Sequence, residues 1–181
     1  SFSLKGIIPF FAISIADLFL SKTAMEIAKK GIMPFREKDG VKNLKKALKK
    51  KIKFYSEPSS FISDSTVVIT VGTPVDNFLN PDMRQIKECI DSLIPYLKKG
   101  QLIILRSTVY PGTSDWLYKY LFKKKKCDIA FCHERVIQGY TFDEIEKLPQ
   151  IIAASSKTAL KRAALIFKKI SKKIVYCSLK E

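Results

Sequence analysis

The feature that most constrains this chain is an alternation that runs from Ser65 onward. Short apolar runs are separated by amphipathic stretches of ten or more residues. "STVVITVG" (65–72) is a continuous apolar run closed by glycine, and "LIIL" (102–105) repeats it. Runs of this kind mark strands buried on both faces. "CDIAFC", "QIIAAS" and "KIVYC" read as three further strands. Between the first two, Asn80 suits a helix cap, Pro81 the first helical position and Asp82 the positive helix end. Ile86, Ile90, Leu93, Ile94 and Leu97 then fall on one face, and Lys98-Lys99-Gly100 is a stop signal, with Pro95 set to kink the last turn. A second helix is expected from Thr113 or Ser114 to about Phe122. A third, "SKTALKRAALIFKKI", aligns Leu160, Ala163, Ala164 and Phe167. Residues 133–149 read as a longer loop with a short helix. Before Ser65, Ile13–Lys30 reads as helical, Val41–Lys50 as a basic helix and Ile52–Tyr55 as a short strand. Strands alternating with helices require crossovers. The fold class expected is therefore α/β: a Rossmann-like, mostly parallel sheet with helices on both faces.

A chain of 181 residues with 46% hydrophobic and 28% charged residues suits one globular domain. The net charge of +16 points toward polyanions. The basic clusters (Lys45-Lys46, Lys49–Lys51, Lys123–Lys126) are almost all lysine, which lacks the planar fork of arginine. Solvated lysine faces are the simpler account, and a dedicated nucleic-acid site is the alternative. Cys89, Cys127, Cys132 and Cys177 form no Cys-x-x-Cys pair, and the lone His133 completes no zinc set, so no metal is expected. Reduced thiols and a cytoplasmic location follow as expectations. The uncharged stretch Gly6–Ala16 is too short to span a bilayer as a helix and reads as core rather than as a signal peptide.

The run 102–105 stops at two hydroxyls, Ser107-Thr108, and Tyr110-Pro111-Gly112-Thr113 turns the chain into a helix. Hydroxyl residues end strands and begin turns. They are also well placed for chemistry, because ligands of open α/β sheets sit beyond the carboxyl ends of the strands. Three such segments occur in order: "VGTP" (71–74), "STVYPGT" (107–113) and "HERVIQG" (133–139).

In this order and spacing the three segments resemble the NAD-binding domain of the nucleotide-sugar 6-dehydrogenases, the UDP-glucose and UDP-N-acetylmannosamine dehydrogenase family. "KGIMPFREKDGVKNL" and "LPQIIAA" resemble that family's intervening segments. The likeness covers 60–181 well and 1–59 imperfectly, and Glu134-Arg135-Val136 is nearer the N-acetylmannosamine branch. The resemblance implies that Thr73 and Thr108 contact the dinucleotide. It implies that Glu134 stands near the reacting sugar in an acid/base or water-positioning role, and that Arg135 and Val136 contact the nucleotide sugar. His133 stands where the family has proline.

The family's first strand is followed by a Gly-x-Gly-x-x-Gly turn that lets backbone approach pyrophosphate. The segment matched to it is "GIIPFF" (Gly6–Phe11), where Ile8 and Phe11 replace glycines. No second strand ending in a ribose-binding acid is evident before "KGIMPF", so the first βαβ unit reads as incomplete. The family's dimerisation helix and its catalytic Cys and Lys would lie beyond Glu181. Cys132 ends a strand and is expected to pack, not to react. The expectation is thus a single truncated domain, 1–181, of an enzyme that oxidises a UDP-sugar with NAD and is a homodimer in the family. NAD binding would be weak or lost and this chain alone inactive. The alternatives are a non-enzymatic basic α/β module and an inactive remnant.

Overall fold

The computed structural model describes residues 13–15, 22–33, 36–49, 58, 66–71, 82–137 and 139–179. Among them six strands form one sheet in the sequential order β1-β2-β3-β4-β5-β6. They are β1 (Ile13–Ile15), β2 (Val67–Ile69), β3 (Leu102–Leu105), β4 (Asp128–Phe131), β5 (Gln150–Ala154) and β6 (Ile174–Cys177). The helices are α1 (Lys22–Lys29), α2 (Gly40–Lys49), α3 (Arg84–Leu93), α4 (Thr113–Lys125), α5 (Thr141–Glu144) and α6 (Lys157–Phe167). β1 to β4 pair in parallel, as do β5 and β6. Consecutive neighbours of this kind match the 1-4-5-6 side of the doubly wound order 3-2-1-4-5-6.

The period-2 geometry of β3 explains why its run is apolar without interruption. Ile103 and Leu105 join Ile69 and Ile129 under α3 and α4, packing on Ile86, Ile90, Leu93, Leu117 and Leu121. Leu102 and Ile104 point the other way, with Ala130 and Ile152, onto α6. There Ala159, Ala163 and Ala164 bring the helix close to the sheet and Phe167 fills its end. Each fully buried Ile or Leu contributes roughly 2 kcal/mol by removing its surface from water. Helices therefore cover both faces, and β2, β3 and β4 are adjacent and parallel, as their sequences require.

Four details depart from the sequence reading. β4 and β5 are antiparallel, pairing Ala130 with Ala154 and Phe131 with Ala153. The intervening connection carries only the four-residue α5 and does not cross back along the sheet, so β5 starts from the carboxyl side of β4. Ile13–Ile15, read as part of a helix, is a strand. The residues that follow it in the sequence, "ADLFLS", contain no glycine. α3 begins at Arg84, whose N–H donates to the Asp82 carboxylate at 2.9 Å. It gives way to a 3₁₀ turn, Ile94–Tyr96, at Pro95. α4 continues three residues past Phe122 to Lys125 and ends on Lys126 in the left-handed conformation. Asn80, Pro81, Gly6–Phe11 and Ile52–Tyr55 lie outside the described residues. No helix among the described residues is long and apolar enough to cross a membrane.

Candidate functional site

The carboxyl ends of β2, β3 and β4 lie side by side, and the residues leaving them are polar. Thr70 follows β2, Arg106-Ser107-Thr108 follow β3, and Cys132-His133-Glu134-Arg135 follow β4. Arg106 holds the middle. Its N–H donates to the Ile69 carbonyl at 2.8 Å, and its own carbonyl accepts from the Glu134 N–H at 2.9 Å. The Cys132 N–H donates to the preceding carbonyl, Leu105. β4 thus advances two residues while β3 advances one. Such a bulge-like step re-aims the side chains that follow it.

The side chain of Arg106 is buried on the α6 side of the sheet, its guanidinium 4.9 Å from the centre of the Phe167 ring. It donates to the Cys132 carbonyl at 2.8 Å and to Gln150 Oε1 at 2.7 Å. Its other terminal nitrogen forms an ion pair with Glu134 Oε2. Glu134 Oε1 accepts from the Arg135 N–H at 3.0 Å. The carboxylate is therefore held from both sides at the mouth between β3 and β4.

Three buried polar atoms at this edge have no hydrogen-bond partner among the described residues: Thr70 Oγ1, Ser107 Oγ and His133 Nδ1. Buried polar groups are normally satisfied, so each of these unpartnered atoms at the ends of three adjacent strands is a candidate contact for a polar ligand. The His133 ring stacks on Phe131, centroids 5.2 Å apart. Burial, then the Arg135 and Arg106 cations, push its pKa below 6.5, with Glu134 opposing.

Thr108 is exposed, not sealed in the core. The turn beyond it is built by Thr113 N–H donating to the Tyr110 carbonyl at 3.1 Å, with Gly112 at φ +85°. A positive φ at the third turn position is the type II geometry that requires glycine. Thr73, its proposed companion, lies outside the described residues. Arg135 is exposed, with its guanidinium donating to the Pro149 carbonyl. Val136 is half-buried beside it. Glu134, Arg135 and Val136 are thus together on one connection, and Glu134 reaches the end of β3.

That connection is latched from a distance. The Glu37 carboxylate accepts from the Gly139 N–H at 3.0 Å, the Thr141 N–H at 2.8 Å and the Thr141 hydroxyl at 2.9 Å. Lys38 pairs with Asp143 at 2.6 Å. Sequence reasoning passed over Arg106, Gln150 and Glu37. The available signal was an arginine set between a fully apolar strand and Ser107-Thr108, where a charge needs a reason.

Residues 13–171 match the model of the UDP-glucose/GDP-mannose dehydrogenase family, NAD binding domain. The chain belongs to this family. Among curated relatives, the UDP-N-acetyl-D-mannosamine dehydrogenase of Methanocaldococcus jannaschii is 36% identical over 103 residues, covering 55% of this chain and 24% of that protein. The chain spans about a quarter of the length of that relative. Among solved structures, a UDP-N-acetyl-mannosamine dehydrogenase from S. aureus superposes with a TM-score of 0.80 at 20% identity, over 91% of this chain and 41% of that one. A UDP-D-ManNAc dehydrogenase from Pyrococcus horikoshii gives 0.80 at 23%, over 87% and 40%. At these identities the likeness establishes the fold.

The family match begins at residue 13, after Gly6–Phe11, and so gives no support to that segment as the glycine turn. In this dehydrogenase domain β1 supplies a strand where none was read. Asp17, outside the described residues, stands two positions past its end in the sequence. Cys132 is fully buried, and burial pushes its thiol up to about 12. Among the described residues no group of three His, Cys, Asp or Glu side chains could hold a metal ion.

Proposed function

We propose that this chain provides the cofactor side, and one wall of the substrate side, of a UDP-sugar 6-dehydrogenase, with UDP-N-acetylmannosamine as the favoured sugar nucleotide. The observation that carries this reading is the polar rim at the ends of three adjacent parallel strands: orphaned Ser107 Oγ and His133 Nδ1 beside a fixed Glu134 carboxylate. NAD, when bound, takes the electrons released as the sugar C6 hydroxyl is oxidised to a carboxylate. Thr73, Ser107 and Thr108 would hold the dinucleotide. Glu134 would accept a proton or order a water at C6. Arg135 and Val136 would touch the nucleotide sugar, which for Arg135 means exchanging the Pro149 carbonyl for an anionic partner. The six residues after Ile15, "ADLFLS", include no glycine, the residue that lets backbone approach a pyrophosphate. NAD binding by this chain is therefore weak. The domain spans 1–181 and acts in the cytoplasm.

The test is a titration of the isotope-labelled chain, read amide by amide. NAD should shift Ser107 to Val109, and UDP-N-acetylmannosamine should shift Glu134 to Val136 more than UDP-glucose does. Shifts confined to Lys123–Lys126 would replace the reading with polyanion binding. A micromolar dissociation constant for NAD, about −8 kcal/mol, would show that the glycine cradle is dispensable.

A further inference from the structure

We infer that Arg106 is a positioning residue for Glu134. This rests on the reading that Glu134 faces the bound sugar nucleotide. The argument starts from burial. A guanidinium placed at the end of a buried strand needs acceptors around its fork. Three are present, each on a different part of the chain. The Cys132 carbonyl lies at the end of β4, Gln150 Oε1 at the start of β5, and the Glu134 carboxylate beyond the bulge-like step. Phe167 of α6 closes the fourth side. Arg106 is thus anchored by the sheet and by α6, while Glu134 is partly exposed and anchored chiefly by Arg106. The direction of control follows: the rigid buried cation sets where the carboxylate sits, and Arg135 N–H reads that position through Glu134 Oε1. Lysine cannot do the same work, because its single nitrogen lacks the planar fork that meets Gln150 and Glu134 together.

The Arg135 amide is the reporter, since its only described acceptor is the Glu134 carboxylate. Hydrogen exchange is measured on wild type, Arg106→Met, Arg106→Lys and Glu134→Ala, with the Ile103 and Leu105 amides as the reference for β3. Glu134→Ala sets the unprotected limit. Arg106→Met should bring the Arg135 amide to that limit, about tenfold faster than wild type, with the β3 amides unchanged. Arg106→Lys, which keeps the charge and so guards against a variant that fails to fold, should fall between. Wild-type protection of Arg135 in both Arg106 variants overturns the inference. So does a rise that merely follows a rise in Ile103 and Leu105, because that is loss of structure and not of position. Adding UDP-N-acetylmannosamine separates the two claims. If it shifts neither Glu134 nor Arg135 in wild type, the substrate reading fails, while the exchange rates still decide what holds the carboxylate. If it does, Arg106→Lys should weaken its binding severalfold, and unchanged binding counts against the inference.

Discussion

The Arg106 guanidinium and the Glu134 carboxylate meet across the ends of β3 and β4 with unequal exposure, 10% for the cation and 37% for the anion. The inequality decides what truncation costs. Glu134→Ala leaves a buried cation without its anion, a change expected to cost about 3 kcal/mol. Glu134→Gln keeps an oxygen for the guanidinium and should cost about 1 kcal/mol. Urea unfolding of the two variants, at unchanged slope, checks the order. Equal costs would mean that a neutral oxygen does nothing for Arg106 and that only the carboxylate charge counts.

His133 is the chain's one histidine, so its imidazole resonances report it without ambiguity. Burial, then Arg135 and Arg106, depress its folded pKa below 6.5. The unfolded chain then binds the proton more readily than the folded one. Stability is fully present above the unfolded value and is lost as pH falls from about 6.5 toward the folded pKa. His133→Gln should flatten that part of the pH–stability curve. An imidazole midpoint above 6.5 would contradict the environment described for it.

Burial raises the thiols of Cys89 and Cys127 to about 11 and that of Cys132 to about 12. A covalent sugar intermediate needs a thiolate. None of these three supplies one at neutral pH. Iodoacetamide on the native chain should spare all three. Any NADH formed from UDP-N-acetylmannosamine should be unaffected by Cys132→Ser. Formation abolished by that substitution would place the reactive thiol in the sheet.

Glu37 holds Gly139 and Thr141 through three accepted hydrogen bonds across about a hundred positions of sequence. Glu37→Ala should destabilise the chain by roughly 1–2 kcal/mol. It should also open the connection between β4 and β5 to limited proteolysis, with α6 still protected. Uniform cleavage across the chain would show that the latch supports the whole fold and not this connection.

The parallel core was legible because buried strands leave a plain signature. Leu102–Leu105 faces helices on both sides, and an unbroken apolar run has no other use. Ile13–Ile15 was not legible, since a short apolar run inside a longer one fits a helix equally well. Nor was the reversal at β5, because direction depends on where the connection lies and "QIIAAS" reads the same either way. Arg106 was missed for a different reason. Charged residues at strand ends are usually solvated, and only its three acceptors, distant in sequence, reveal that this one is buried. Glu134, Arg135 and Val136 were found as neighbours because they are adjacent in the chain. That Glu134 reaches back to β3 depends on the bulge-like step, which leaves no mark in the residues.

The antiparallel junction has a mechanical consequence. It divides the sheet into two parallel blocks, β1–β4 and β5–β6, whose shared ladder is short and pairs Ala130 with Ala154 and Phe131 with Ala153. A seam that short is where a sheet should part first when proteins open in cooperative pieces. The fastenings that cross it include α6, which packs on β3, β4 and β5, the Ser155 hydroxyl, which donates to the Asp128 carboxylate at 3.2 Å, and the bond from Arg106 to Gln150. The residue that fixes the carboxylate at the rim therefore also rivets the seam. Under load or mild denaturant, the last two strands should come away together, and they should do so sooner once that rivet is cut.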